Sequence, residues 1–256
     1  MSSSNRNYFL DMIRQNIEKS GLHIYSVAGG ESPRYLYTIG LWEKLKFELI
    51  FPGLATVPVR AGAKLLNTMA EKLTQGVSPQ DLSLDLPPYG TFSLGPVHPT
   101  WSKPLMLGAL DYYNLKEVKA WQVVPDKEHG TIDVPSMAFP FNKETNPVWQ
   151  WMDGGWPYSV PSDIHVVADL DMMKGFGASE VIRWEEDEWQ MFSRCGDEIP
   201  KEEIFPIPLA TLLAFDPSLE AVLDIEVGSG LYREYEVDRI GPWKKWVAEN
   251  DDQESS

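Results

Sequence analysis

Apolar residues recur at helical spacing in two parts of the first half of the chain. Between residues 8 and 17 they return every three or four positions, and Ser20 and Gly21 follow as a stop signal. A second run with the same period extends over residues 59–73 and is followed by Gly76. We expect both segments to form amphipathic helices that pack one side against a core.

Shorter segments around these helices alternate apolar and polar side chains, or are rich in β-branched and aromatic residues, as is typical of strands. Clusters of Gly, Pro and Ser separate them as turns. The proline-rich stretch 78–88 is interpreted as a loop. The strands predicted in the first half cover residues 22–27, 35–41, 48–51, 92–94 and 120–124.

The second half shows a similar mixture of short patterns. Strands are predicted at residues 164–168, 178–184, 189–192 and 230–237, with the second and third forming a pair. Residues 207–215 indicate a short helix, and Asp216-Pro217-Ser218 caps another. Because helices and strands are mixed without regular alternation, we expect an α+β fold: two mixed domains with short, largely antiparallel sheets and a few flanking helices.

A segment rich in proline, glycine and tryptophan interrupts this pattern. It contains Trp149, Trp151 and Trp156. A flexible linker would be poor in aromatic residues, so we expect this segment to pack against one or both domains. The predicted division is a first α+β domain at residues 1–138, a packed connector at 139–162, a second, acidic α+β domain at 163–248 and an acidic tail at 249–256.

The formal net charge of the chain is −16, and it is distributed unevenly. Residues 1–150 carry 14 Lys and Arg against 14 Asp and Glu, whereas residues 151–256 carry 8 against 24. Binding to nucleic acid or to an anionic membrane needs concentrated positive charge, so neither is expected as a partner. The excess negative charge in the second part would suit a basic protein partner.

The single cysteine, Cys195, excludes a disulfide within the chain and a zinc site built from several cysteines. The first residues are polar without an apolar leader, and no apolar run of about 18 residues occurs, which favours a cytoplasmic location. No glycine-rich nucleotide-binding fingerprint is present, so we expect no cofactor. The oligomeric state stays open.

Candidate chemistry in the first half depends on His23, Glu48 and His98. No two histidines have the close spacing of a local metal site. His23 lies within a predicted strand, where a hydrogen-bonded structural histidine is the simpler interpretation. His98 follows a strand on a proline-fixed loop, a place where functional residues are frequent. The three would form an acid/base or metal site only if the fold brings them together.

A run of four carboxylates separates two aromatic strand segments in the second half. Four adjacent like charges cannot be buried, so a solvated hairpin tip is the simpler interpretation. The alternative is a partner-binding surface, because charge complementarity raises association rates and tryptophans supply desolvated anchors. Its candidate residues are Trp184, Glu185, Glu186, Asp187, Glu188, Trp189, Asp197 and Glu198.

Several ordered motifs of the first half carry a family resemblance. They are Gly21-Leu22-His23, Tyr37-Thr38-Ile39-Gly40-Leu41, Glu48-Leu49, Gly53-Leu54, His98 and Trp121-Gln122-Val123-Val124-Pro125-Asp126. Over about residues 7–135 the chain resembles the bacterial family called domain of unknown function 4262. Leu22 and Phe47 stand where that family usually has Trp and Pro. The family has no established activity, so the resemblance implies a domain rather than a reaction.

The second half resembles another bacterial family over about residues 163–246. The motifs are His165-Val166-Val167-Ala168, Trp189-Gln190-Met191-Phe192-Ser193, Pro208-Leu209-Ala210-Thr211-Leu212-Leu213, Asp216-Pro217-Ser218-Leu219, Val227-Gly228-Ser229-Gly230 and Tyr232-Arg233. The family is called domain of unknown function 2185 and is classed among bacterial immunity proteins. The resemblance implies that this part neutralises a toxin by binding it.

Three functional hypotheses follow. The first is an immunity-type protein that binds and neutralises a cognate, basic toxin, or another basic protein, through its acidic second domain without any chemistry. The second is an enzyme, a metal-dependent or acid/base hydrolase, with His23, Glu48 and His98 in its site. The third is a first domain that senses a small ligand and a second domain that reports it.

Overall fold

The computed structural model describes residues 3–236 and 239–246, and it contains two six-stranded sheets. The first sheet has the strand order β1-β2-β3-β6-β5-β4, in which only the β3–β6 pair is parallel. Its strands are β1 (His23–Val27), β2 (Tyr35–Ile39), β3 (Glu48–Pro52), β4 (Ser83–Asp85), β5 (Thr91–Pro96) and β6 (Ala120–Pro125).

Helices flank this sheet on the first half of the chain. They are α1 (Ser3–Ser20), α2 (Trp42–Leu45), α3 (Val59–Thr74), α4 (Pro99–Leu105) and α5 (Leu107–Tyr113). The apolar side of α3 packs on the sheet as its period predicts, and Gly62 lets the helix approach Phe51 closely. The first turns of α1 instead leave Tyr8 and Phe9 exposed. The apolar pattern does not predict α4 and α5, because each has only seven residues and α4 contains Pro104.

The second sheet has the order β10-β7-β9-β8-β11-β14, and only its β7–β9 pair is parallel. Two helices, α6 (Leu170–Met173) and α7 (Leu209–Phe215), accompany it. Its strands are β7 (His165–Asp169), β8 (Glu180–Arg183), β9 (Trp189–Phe192), β10 (Ile204–Pro208), β11 (Ser229–Tyr232) and β14 (Lys244–Lys245), and a separate two-stranded ribbon joins β12 (Tyr235–Glu236) to β13 (Arg239–Ile240).

This architecture confirms the α+β class and the largely antiparallel pairing. Among the described helices, none is both long and apolar enough to cross a bilayer. The helix predicted at residues 207–215 is wrong at its start: Pro206 and Pro208 belong to β10, and the helix begins at Leu209. Proline supplies no N–H to a helix interior, so the chain stays extended until the second proline has passed.

Two further predictions need correction. The stretch 78–88, interpreted as a loop, contains a 3-10 turn (Pro79–Asp81) and strand β4, which pairs with β5. The strand predicted at residues 230–237 is divided into β11 and β12, and its last residue lies outside the described residues. The proposed acidic tail, 249–256, also lies outside them.

One buried hydrophobic cluster contains side chains from both sheets. It includes Tyr37 and Ile50 of the first sheet, Val166 and Met191 of the second, and Trp149 of the segment between them. The predicted domain boundaries stay a prediction, but the two halves are packed together over this shared core.

An aromatic contact and hydrogen bonds accompany this packing. Trp149 lies 5.8 Å from the ring of Trp101, and its Nε1 donates to the backbone oxygen of Asp133 at 3.1 Å. The backbone N–H of Ile132 donates to Met173 O at 2.9 Å. Trp149 of the tryptophan-rich segment is therefore packed in the shared core.

Candidate functional site

The acidic run forms the tip of a hairpin in the second sheet. Strands β8 and β9 are antiparallel with Arg183 opposite Trp189, and the N–H of Trp184 donates to Glu188 O at 2.9 Å to close the turn. The carboxylates of residues 185–188 are exposed. Within residues 3–236 and 239–246, none of the four forms an ion pair. The solvated hairpin tip predicted from the sequence is therefore observed.

Arg183 fixes the backbone of this tip. Its Nη1 donates to Ile225 O at 2.9 Å and its Nη2 donates to Glu186 O at 3.1 Å. The guanidinium carbon also lies 4.8 Å from the centre of the Trp189 ring. The Arg183 guanidinium is thus held by backbone carbonyl oxygens and an aromatic ring, and the carboxylate groups of the tip are exposed.

The two tryptophans that flank the run have different environments. Trp184 is 50% exposed, and its Nε1 lies 3.4 Å from Gln190 Oε1. Trp189 is 1% exposed and belongs to the shared core. Trp184 is therefore available to a partner, whereas Trp189 is a core residue rather than a surface anchor. Sequence reasoning missed this difference because strand side chains alternate between the two faces of a sheet, and which face is buried depends on a register that the sequence does not give.

Three of the remaining predicted residues line one of two depressions in the surface. Asp197, exposed on a 3-10 turn (Gly196–Glu198), lines a groove of about 420 Å³ together with Trp184. Glu186 and Asp187 line a second cleft, of about 710 Å³, with Asp163 and His165. Glu185, Glu188 and Glu198 are exposed but line neither.

The groove follows the open face of the second sheet. Val167, Gln190, Ile182 and Gly230 lie opposite one another across four strands, so their side chains share a face. The neighbouring row, formed by Ala168, Met191 and Val181, points the other way and is buried. Alternation along the strands thus places one row in the core, whereas the other row is exposed at Val167, partly exposed at Gln190 and buried at Ile182 and Gly230.

The groove carries negative charge and no basic side chain. Its lining includes the carboxyl groups of Glu180 and Asp197, and neither Lys nor Arg lines it. Burial raises the pKa of Glu180, and the charge of Asp197 raises it further, although hydrogen bonds from Gln190 and from the Gly196 backbone oppose the shift. Cys195 is exposed on the same groove.

The first half holds a buried carboxylate, Glu48, at the start of β3. Its Oε2 accepts from Thr38 Oγ1 at 2.6 Å. Its Oε1 accepts from Tyr113 OH at 2.6 Å and from the backbone N–H groups of Gly40 and Trp42 at 3.0 and 2.9 Å. Burial raises the pKa of Glu48 and also that of Tyr113, while the hydrogen bonds to the carboxylate oppose the first shift.

The structure does not join His23 and His98 to this carboxylate by any hydrogen bond. His23 Nδ1 lies 3.0 Å from Asn16 Nδ2, and burial lowers the pKa of its imidazole. His98 Nδ1 accepts from the N–H of Thr100 at 3.3 Å and caps α4. Both histidines thus have local structural partners, and Glu48 has no exposed oxygen to offer a substrate.

A metal site is not supported by the positions of these side chains. In the part of the chain that the structure describes, no three His, Cys, Asp or Glu residues are grouped so that they could hold a metal ion. His23 and Glu48 lie on different strands of the first sheet, with β2 between them. The hydrolase hypothesis therefore gains no geometric support.

Three exposed apolar side chains on or beside the open face were not among the site residues predicted from the sequence. Val167, Tyr232 and Trp246 are 43%, 37% and 43% exposed. The signal that could have identified Val167 is the alternation along β7, because it lies between the buried Val166 and Ala168. Trp246 had no such signal, since only the pairing of β14 with β11 brings it to the sheet.

Comparison with known families gives one match. The family model described as "Domain of unknown function (DUF4262)" matches residues 16–132, which confirms the resemblance of the first half. Nothing in the comparison supports the second resemblance, over residues 163–246. No curated protein and no solved structure matches the chain.

Proposed function

We propose that the protein binds a basic protein partner through the acidic hairpin tip, and that this partner is a toxin which it neutralises. The observation that carries the proposal is the set of exposed carboxylates at residues 185–188, which have no ion-pair partner among the described residues. Ion pairs with Lys and Arg of a partner offset the cost of desolvating these unpaired charges, whereas neutral groups do not.

The distribution of charge favours encounter through this end of the molecule. All of the net negative charge belongs to residues 151–256. A field of one sign raises the association rate of an oppositely charged partner by about 10- to 1,000-fold at low ionic strength. Trp184, half exposed at the base of the tip, supplies the aromatic contact that such interfaces use as an anchor.

The toxin part of the proposal rests on the short motifs of residues 163–246 that resemble a family of immunity proteins, a resemblance that the family comparison does not support. Neutralisation of this type needs no catalytic group in the binding protein, because covering a basic active site is sufficient. Glu185–Glu188, Asp197 and Glu198 would then oppose the cationic groups of the toxin.

Photo-cross-linking in the organism that makes the protein identifies the partner. A photoreactive residue replaces Asp187 in one variant and the exposed Glu43 of α2 in a control. We expect a basic protein to be linked at position 187 and not at position 43. Expressed alone in a test host, that protein should arrest growth, and co-expression of the unmodified chain should restore it. A harmless or acidic protein linked at position 187 would overturn the proposal.

Charge reversal then tests the role of the tip. Changing all four carboxylates of residues 185–188 to Lys should lower the association rate with the identified partner by about tenfold or more at low salt, and by less at high salt. The matched control changes four exposed carboxylates of the neutral half, Glu18, Glu43, Glu71 and Asp81, to Lys. Equal association rates for the two variants would show that net charge acts without the tip.

A further inference from the structure

We propose that the open face of the second sheet is the desolvated centre of this interface, and that it accepts a segment presenting apolar side chains flanked by Lys or Arg. The inference rests on the proposed function for the partner's charge. It adds a surface, the groove of about 420 Å³, that the sequence alone did not indicate.

The first argument is that apolar side chains are exposed on a face of the sheet where polar side chains are usual. Val167, Trp184 and Trp246 line the groove and are each between 43% and 50% exposed. Antiparallel sheets tolerate one solvated face, but that face is then mainly polar. Exposed aromatic and aliphatic side chains that line one groove on such a face mark an interaction site.

The second argument is that the groove is preformed. Gly230 has no side chain, and a Cβ there would lie 3.2 Å from both Ile182 and Trp246. The backbone N–H of Trp246 donates to Gly230 O at 2.8 Å, which holds the tryptophan beside the sheet. A partner therefore meets an ordered apolar surface and loses little free energy in arranging it.

The third argument is charge, which selects the occupant. Two carboxyl groups, of Glu180 and Asp197, line the groove without any basic residue. A second copy of the chain would bring the same two carboxyl groups and be repelled. The chain's own last ten residues contain four acidic and no basic side chains, so they are repelled as well. A basic partner with an apolar centre satisfies both the charge and the surface.

Cys195 gives a direct reporter of occupancy. It is the only cysteine of the chain, it is exposed, and it lines the groove. Alkylation by a maleimide therefore reads access to this face of the sheet at one position. An occupant at ten times its dissociation constant should slow alkylation by about tenfold, because only the free protein reacts.

The probes are three synthetic peptides of equal length: alternating Lys and Leu, alternating Lys and Ser, and alternating Glu and Leu. We expect the Lys-Leu peptide to protect Cys195, and the Lys-Ser and Glu-Leu peptides to protect it far less. In the double variant Val167→Ser, Trp246→Ser, protection by the Lys-Leu peptide should be lost. The control Phe176→Ser, which changes an exposed side chain outside the groove, should keep it.

Each result decides the inference. Circular dichroism establishes that the double variant is folded; Val167→Ser alone replaces it if it is not. Equal protection by the Lys-Leu and Lys-Ser peptides, or none by either, would contradict binding of an apolar, basic segment in the groove. Protection that persists in the double variant would contradict it too.

Failure of the proposed function has a different signature. The Lys-Leu peptide then protects Cys195 as expected, but cross-linking at position 187 yields no basic, toxic partner.

Discussion

At the scale of single residues, Glu48 shows how a candidate catalytic group can serve the fold. The carboxylate joins the end of β2, the start of α2 and the end of α5 through Thr38, Gly40, Trp42 and Tyr113. Buried donors without an acceptor are costly, so the carboxylate stabilises the three segments that surround it. The sequence indicated an acidic residue in a motif, but the number of its donors depends on the fold.

Glu48→Ala should lower the free energy of unfolding by about 3 kcal/mol or more, because it leaves several buried donors without an acceptor. Glu48→Gln keeps the shape and should cost less. Denaturant unfolding of both variants measures the difference. An effect of Glu48→Ala no larger than that of an exposed control such as Glu43→Ala would contradict this role.

The same residue predicts a dependence on pH. Burial raises the folded-state pKa of Glu48 above its ordinary value. At a pH between the unfolded-state and the folded-state pKa of Glu48, the folded protein holds a proton that the unfolded chain has released. The free energy of unfolding therefore falls as the pH rises through the folded-state pKa. Gln does not ionise. The stability deficit of Glu48→Gln relative to the unchanged protein should therefore shrink as the pH is raised above the ordinary pKa of glutamate, and a constant deficit would contradict the raised pKa.

At the scale of elements, the apolar and polar pattern predicted a segment correctly where the segment had a clear local signal. Helix α3 and the β8–β9 pair lie where the sequence places them, because each has a repeating apolar side or a polar turn of its own. It did not work for α4, α5 and β4, which are too short to show a period. Helix α5 packs against β2, which is distant in the chain, and β4 pairs with the neighbouring β5. Asp216 is an intermediate case, since its cap of residues 217–222 was visible locally.

The connector gives a prediction at this scale. Trp149 is 1% exposed and belongs to the buried cluster that both halves share, whereas Phe139, in the same predicted segment, is 70% exposed. Trp149→Ala should destabilise the protein by about 3–5 kcal/mol through the cavity it leaves, and Phe139→Ala by less than about 0.5 kcal/mol. Thermal or denaturant unfolding of the two variants measures this. Similar losses for both would show that the connector is not part of the core.

At the scale of the whole molecule, the shared core bears on how the two halves work. The region matched by the family model, residues 16–132, supplies one sheet to a cluster that the second sheet completes. The neutral half can therefore act as the support that orients the acidic hairpin. A stable platform limits the loss of conformational entropy on binding and so favours a preformed interface.

Because the halves share a buried cluster, unfolding of the full chain should be a single cooperative transition. Far-ultraviolet circular dichroism reports both sheets, and near-ultraviolet signals report tryptophans of both halves and the connector. The two melting curves should coincide. Two separated transitions, one with each half, would mean that the halves fold as independent domains.

The sequence by itself determined the α+β class, most strand positions of both sheets, the family resemblance of the first half and the location of the negative charge, since each depends on local patterns or on composition. Tertiary structure alone decided which tryptophan of the hairpin is exposed, what surrounds Glu48 and where the open face of the second sheet lies. Those features depend on strand register and on contacts between distant segments, and a single residue shift would reverse every side chain of a strand. The acidic tip was readable from four adjacent residues, whereas the groove beside it exists only because β7, β8, β9 and β11 meet in one order.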